Sequence, residues 1–469
     1  MILAGVSRKI INPSLSVPHA GWGAQTHVFA QGIESDICST VLVLLDQDQQ
    51  QASMIIDIDI TMFSTEQTWH IRRAVASATG VPVEAIRLSV THSHAGPVVW
   101  SNYYEEGKVA TIQYLQYIQE QTVAAALEAQ QQMIPVRIDA GLGTCHIGKN
   151  RRQLLDSGRM VVGYHPEGIT DPSVGVIRVE ERFSGTVLAN LIFYSCHPTT
   201  LGYSNQLHSA DYPGVTKKLV EQTLGGTCLF MLACAGNIGP GPEGFLNNTV
   251  AMKRMGTTLG AEVIKVSSMI EEKSFDHTFR EVVESGASLA IWDSHKREQD
   301  LDIETLQVMM RLPVKLKQTY SEALAAYERL EAELTRIMGT SSTDVQIQEL
   351  TYKMKRATIA LDMTKKNEGK TEYEVEVQFI RMGDIVIIGV PLEPFVEIGI
   401  TIREHSPFRY TFFTGYTNGW DGYLPNAADY PLGGYEVENY PYAPESAEHL
   451  IHEVLKVLHV LKKKCDVTR

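Results

Sequence analysis

The sequence predicts an α/β protein: a mixed-sheet core with flanking helices and one inserted helical hairpin. Three observations carry this. Apolar, β-rich runs alternate with helical patterns over the first half of the chain, as strands covered by helices do. A long helical stretch over 305–366 breaks that alternation. The 469 residues are 44% hydrophobic and 20% charged, which supports a large core without low-complexity tracts.

The elements follow in order. Residues 41–45 read as a strand, 47–51 as a polar turn and 52–57 as the next strand. Ser64 and Gln67 have capping-box spacing and open a helix that stops at Gly80. Residues 85–90 are a strand, and 114–133 a helix rich in Ala and Gln. Later strands fall at 187–196, 227–234 and 385–390. Residues 305–366 read as an αα-hairpin broken around Gly339-Thr340-Ser341-Ser342. The segment 447–464 has apolar residues at 450, 451, 454, 458 and 461, a helical stripe. No Gly/Ser or Pro linker divides the chain. We therefore read 1–469 as a single catalytic domain with the hairpin inserted.

The net charge of −14 is spread along the chain, which disfavours nucleic acid as a partner. Lys462-Lys463-Lys464 ends a helical pattern and reads as a solvated cap. No apolar run approaches the ~20 residues of a membrane span. The N-terminus lacks a basic region followed by an apolar stretch. Cys38, Cys145, Cys196, Cys228, Cys234 and Cys465 form no CxxC pair and no disulfide framework. The expectation is a cytoplasmic protein acting on a small molecule, with no transmembrane segment. Homo-oligomerisation is left open.

Four apolar strands run straight into polar turns. These are Thr91-His92-Ser93-His94-Ala95-Gly96-Pro97, Cys196-His197-Pro198-Thr199-Thr200, Cys234-Ala235-Gly236-Asn237-Ile238-Gly239-Pro240 and Pro391-Leu392-Glu393-Pro394. Ligands bind beyond the carboxyl ends of strands in α/β sheets, so the four turns are expected to converge. His92 and His94 would share one face of an extended chain. With His197 and Glu393 they make a donor set suited to Zn2+, which takes His and carboxylate ligands and keeps a position open when catalytic. The plainer alternative is polar residues at strand ends.

These turns resemble motifs of the neutral/alkaline non-lysosomal ceramidase family, whose members hydrolyse the amide of N-acylsphingosine with an active-site zinc. Residues 91–97 are similar to that family's THTHSGP. His197-Pro198-Thr199-Thr200 with Asn205, Ser209, Asp211 and Gly214 resembles its HPTSM…N…SGDNxG. Pro391-Leu392-Glu393 is similar to its PGE, and residues 418–423 to its NxYxxY. Ala4-Gly5-Val6 and Ile11-Asn12-Pro13 fit its start. The resemblance runs in order through most of the chain. It omits the hairpin, and the expectation is a chain without the family's C-terminal immunoglobulin-like domain.

The resemblance implies His92, His197, Glu393 and Tyr423 as metal ligands, with Tyr430 and Tyr435 as rivals for the last. It implies His94 beside the metal. It also exposes a departure: Gly239 stands where the family's GDxSPN motif has its nucleophilic serine. A metal-activated water is then the expected nucleophile, with His94, His208 and Asp211 as candidate bases. Asp211 reads equally as a helix-start carboxylate before Pro213. His208 reads equally as a substrate contact. Backbone N–H groups at Gly236, Asn237 and Gly239 are candidates for holding an oxyanion. Arg151, beside Arg152, is a candidate for a substrate carboxylate or phosphate. Trp420 is a candidate pocket wall. Asp57 and Asp59 either reach the site or satisfy backbone groups. The expected function is zinc-dependent hydrolysis of an N-acyl amide in a small or amphiphilic substrate. The alternatives are an ester, lactone or glycosidic bond, or a zinc-containing binding protein without activity.

Overall fold

The computed structural model describes residues 1–100, 104–299, 301–315, 318–338, 344–438 and 440–468. The main sheet has eight strands: β1 (Ile2–Ile10), β2 (Cys38–Asp46), β3 (Gln51–Ile58), β4 (Ile86–Val90), β5 (Ile134–Thr144), β6 (Ser173–Glu181), β7 (Val187–Tyr194) and β8 (Thr227–Leu232). Their spatial order is β8-β7-β6-β5-β1-β2-β3-β4. The outermost pairs, β3–β4 and β7–β8, are parallel, and the pairs between them are antiparallel. A parallel pair needs a crossover. Helix α1 (Thr65–Thr79) supplies it for β3–β4, and α3 (Asp211–Leu224) for β7–β8; α2 (Lys108–Gln131) and α4 (Thr249–Glu272) complete this helical layer. The expected capping box of α1 is present, and Gly80 closes the helix with φ +77°.

A second sheet contains β9 (Ile303–Pro313), β10 (Glu372–Met382), β11 (Ile385–Gly389) and β12 (Tyr410–Thr414), in that order, with β11 and β12 parallel. The two sheets pack face to face. Side chains alternate between the layers, as the pleat requires. On β7, Ile192 and Tyr194 face the helices, while Leu191 and Phe193 face the second sheet. Phe193 stacks on Phe412 of β12 at 4.3 Å between ring centroids. The outer face of the second sheet is covered by the helices Val396–His405 and Ser446–Thr468, the latter through Leu450, Val454, Leu458 and Leu461. Strands covered on both faces explain the uninterrupted apolar runs in the sequence.

The hairpin boundary needs correction. Residues 303–313 are strand β9, and the helices are α5 (Tyr320–Met338) and α6 (Asp344–Asn367). The break at 339–342 lies outside the described residues. Leu306, Met309, Met310 and Leu312 favour a helix locally, but pairing with β10 outweighs that preference. Pro313 and Glu372 are cross-strand partners, so the helical pair leaves and rejoins one β-hairpin. We accordingly propose a single domain with this pair inserted. An exposed ribbon, Phe275–Glu284 with Ser288–Lys296, escaped the sequence reading.

Asp57 and Asp59 are structural. Lys217 of α3 contacts Asp59 Oδ1 at 2.6 Å and Asp57 Oδ2 at 3.3 Å, all three buried. Asp57 also accepts the Phe230 N–H at 2.9 Å, tying β3 to β8 across the ends of the sheet. Cys38, Cys145, Cys196, Cys228 and Cys234 are free and buried. Lys217→Met would strand two buried carboxylates without their cation. The expected loss is about 3–5 kcal/mol in urea titration, and an unchanged midpoint would show that the triad does not hold the sheet.

Candidate metal centre

The site forms where parallel strands end. His92 and His94 follow β4, His197 follows β7, Glu393 follows β11 and Tyr416 follows β12. Main-chain bonds lock these turns together. The His197 N–H donates to Ile238 O at 3.1 Å, and the Gly236 N–H to Pro394 O at 2.9 Å. His92 and His94 meet by a route the sequence did not anticipate. The strand stops at Val90, and His92 takes φ +63°, a left-handed conformation uncommon for a side-chain-bearing residue. Tyr416 and Asn418 also have positive φ, at +53° and +59°. Strain of this kind concentrates at functional sites, at a cost of about 1–3 kcal/mol per residue.

The ring orientations follow from hydrogen bonding. His92 Nδ1 lies 2.5 Å from Thr61 O, and His197 Nδ1 lies 2.6 Å from Ala235 O. A carbonyl only accepts, so each Nδ1 carries the proton and each Nε2 presents a lone pair. Those lone pairs converge. His92 Nε2 is 3.2 Å from His94 Nε2, and His197 Nε2 is 3.1 Å from Glu393 Oε2. His92 Nε2 is 3.7 Å from the same carboxylate oxygen. One ligand atom from each of the three histidines falls within 4.8 Å of the others.

The charge states suit a cation. Burial pushes the His92 imidazole down to about 3 and outweighs the pull of Glu393. His94 is held well below the ordinary range by burial and by its two neighbouring imidazoles. Burial and Arg151 lower His197. Burial alone would raise the Glu393 carboxyl, but His92, His197 and the Trp420 N–H hold it well below the carboxylate range. Neutral imidazoles and one carboxylate, buried with lone pairs facing each other, fit a divalent metal ion. Nδ1–H donation to a carbonyl is the usual outer support of a metal-bound histidine.

The aromatic partners divide differently from the expectation. Trp420, expected as a pocket wall, is not among the residues lining the cavity in front of His94; its indole N–H donates to Glu393 Oε1 at 2.7 Å. The Tyr416 hydroxyl donates to Glu393 Oε2 at 3.1 Å and lies 3.5 Å from His197 Nε2. It escaped the sequence reading, although Thr414-Gly415-Tyr416 repeats the pattern of a strand running into a turn. Tyr423 is the cross-strand partner of Glu393 and its ring stacks beside His197 at 6.5 Å, but its hydroxyl accepts from Arg151 Nη2 at 2.9 Å. Tyr430 donates to the carbonyls of Tyr442 and Ala443, and Tyr435 packs on the Tyr423 ring.

Several other candidates are committed elsewhere. Asp211 accepts from the Thr200 hydroxyl, the Leu201 N–H at 3.1 Å and the Tyr212 N–H at 2.6 Å, so its carboxylate organises the turn after His197. His208 packs edge-on against His19 at 4.9 Å, and neither of its ring nitrogens has a hydrogen-bond partner. Asn237 accepts the Val396 N–H at 2.8 Å and donates to Glu397 Oε2 at 3.0 Å, which ties it to the start of the helix Val396–His405. The Gly236 N–H is already bonded to Pro394, which removes it from an oxyanion role. Arg151 is buried and donates from Nε to Glu436 Oε1 at 3.1 Å, while Arg152 pairs with Asp429 and Glu436. A Cβ on Gly239 would meet nothing nearer than Arg151 Cδ at 3.6 Å. His94 alone of the three histidines opens onto a cavity of about 780 Å3, which Thr199, Arg151 and Tyr423 also line.

Residues 4–233 match the family model described as neutral/alkaline non-lysosomal ceramidase, N-terminal. The chain is 25% identical over 390 residues to the neutral ceramidase of Pseudomonas aeruginosa (strain PAO1). That match covers 76% of this chain and 57% of the relative, so the chain spans a little over half of that protein's length. Among solved structures, neutral ceramidase from Pseudomonas aeruginosa superposes with a TM-score of 0.69 at 19% identity, covering 99% of this chain and 75% of the other. A ceramidase complexed with C2 gives a TM-score of 0.68 at 17% identity over the same shares. At these identities the structures establish the fold. Residues 4–233 are thus similar to the N-terminal part of neutral/alkaline non-lysosomal ceramidases, and the chain is similar in fold to the neutral ceramidase structures.

Proposed function

We propose that the chain is a zinc-dependent hydrolase that cleaves an N-acyl amide bond in a small or amphiphilic substrate by metal-activated water. The observation that carries this is the convergence of His92, His94, His197 and Glu393, with ring orientations set by main-chain carbonyls. In this reading His92 and His197 hold the ion through Nε2 and Glu393 through Oε2. A tyrosine completes the set. Tyr423 is the residue the motif carries over, and Tyr416 is the one already bonded to the ligand carboxylate. Zinc supplies Lewis acidity and a water acidic enough to ionise near neutral pH.

The remaining duties fall to side chains. His94, neutral and open to the cavity, accepts a proton at a ring nitrogen and returns it to the leaving amine. Trp420 and Tyr416 each donate to one oxygen of Glu393 and keep the carboxylate oriented. Arg151 holds the Tyr423 hydroxyl in place. The amide assignment rests on the ceramidase relatives. Five free, buried cysteines among the described residues support a reducing compartment such as the cytoplasm.

Elemental analysis of the purified protein tests the centre. We expect about one zinc per chain, lost in His197→Ala, with turnover abolished by a chelator and restored by zinc. Well-folded protein that takes up no metal from a zinc solution would sink the reading. A second measurement concerns Gly239. Since a Cβ fits at this buried position, Gly239→Ser is expected to cost no more than about 1–3 kcal/mol, the penalty of a buried hydroxyl left without a partner. A larger loss would mean packing, not chemistry, demands glycine.

A further inference from the structure

The cavity in front of His94 is apolar along Trp22, Phe245, Ile359 and Leu432, and its volume of about 780 Å3 suits a drug-sized or short-chain lipid ligand. Its charged lining is Arg151, Arg159, Arg356 and Glu438. Arg151 is held by Glu436 and Tyr423. Arg159 and Arg356 are exposed, and among the described residues no carboxylate pairs with either guanidinium. Glu438 accepts the Gly434 N–H at 3.0 Å. Two unpaired cations at one cavity reverse the local sign of a chain whose net charge is −14.

Helix α6 of the inserted pair supplies one of these cations and part of the apolar wall. Tyr352, Arg356 and Ile359 stand four and three residues apart on α6, which places them on one helical face. Tyr352 lies against Gly23, where an added Cβ would approach its ring to 3.7 Å. The neighbouring Trp22 packs on His94 at 4.8 Å between ring centroids. Helix α6 is therefore a roof over the reacting end of the cavity, and it carries a cation.

We propose that the substrate is an acidic amphiphile. Its apolar chain lies along Trp22, Phe245 and Ile359, and its carboxylate or phosphate is held by Arg159 and Arg356. The scissile amide rests on the hydrolase reading above; the anion site does not. Binding is measured first, by titration calorimetry on the zinc-loaded protein with dodecanoate, dodecyl phosphate and dodecanol. An ion-paired head group should tighten binding about tenfold over the alcohol. That gap should narrow with salt and close in the exposed-residue double variant Arg159→Gln/Arg356→Gln. The better of the two anions names the head group. Equal affinity for all three, or a gap that persists in the double variant, overturns the proposal.

Turnover of N-dodecanoylglycine against N-dodecanoylethanolamine is measured alongside. A rise in KM for the double variant that is several-fold larger for the acidic substrate supports the proposal, and equal rises overturn it. If neither amide is cleaved while the binding gap stands, the hydrolase reading fails and the anion site remains.

Discussion

His92 and His197 each direct Nδ1–H at a main-chain carbonyl, of Thr61 and of Ala235. The other ring nitrogen of each must then carry a lone pair, and both lone pairs point at the place where Glu393 Oε2 already sits. The accepting carbonyls lie on turns, and the turns are clamped to one another by backbone bonds between 197 and 238 and between 236 and 394. The ligand geometry is thus a property of how two sheets end, not of flexible side chains. Burial reinforces it, because neutral imidazoles are the favoured form in a dry interior and are also the form that binds metal.

The layered architecture makes this possible. Two sheets packed face to face, each covered by helices, bury strands on both sides. Such strands resist shifting register, since one residue of slip would turn every side chain to the other layer. Their carboxyl ends are therefore rigid platforms. Positive φ at His92, Tyr416 and Asn418 is tolerated because the turns carrying them are anchored on both sides. The Asp57–Asp59–Lys217 triad plays a comparable part at the ends of the main sheet.

Polar residues beside the centre divide into those that face the cavity and those that support the frame. His94 faces it. Asp211, Asn237 and Arg152 support the frame, and Arg151 mainly does so through Glu436 and Tyr423. The residue type is the same in either role. What differs is whether a partner lies elsewhere in the chain, and those partners are separated by up to 285 positions, as for Arg151 and Glu436. The inserted helices add the converse case, in which a segment that matches no motif supplies part of the wall and a cation of the cavity.

The sequence by itself determined the fold class, the strands from 41 to 90 and 187 to 232, the capped helix after Ser64, and the strand-end turns carrying His92, His94, His197 and Glu393. These are local properties: apolar runs, capping spacing, and polar residues placed where strands must stop. Only the tertiary structure decided the rest. It made 303–313 a strand through pairing with β10, placed Tyr416 against Glu393, gave Trp420 a hydrogen bond to the same carboxylate, and committed the Asp211 carboxylate and the Asn237 side chain to the scaffold. These outcomes depend on partners in other segments, from Thr200 for Asp211, 11 positions away, to Val396 for Asn237, 159 positions away, and pairing energies between separate segments leave no trace in local periodicity.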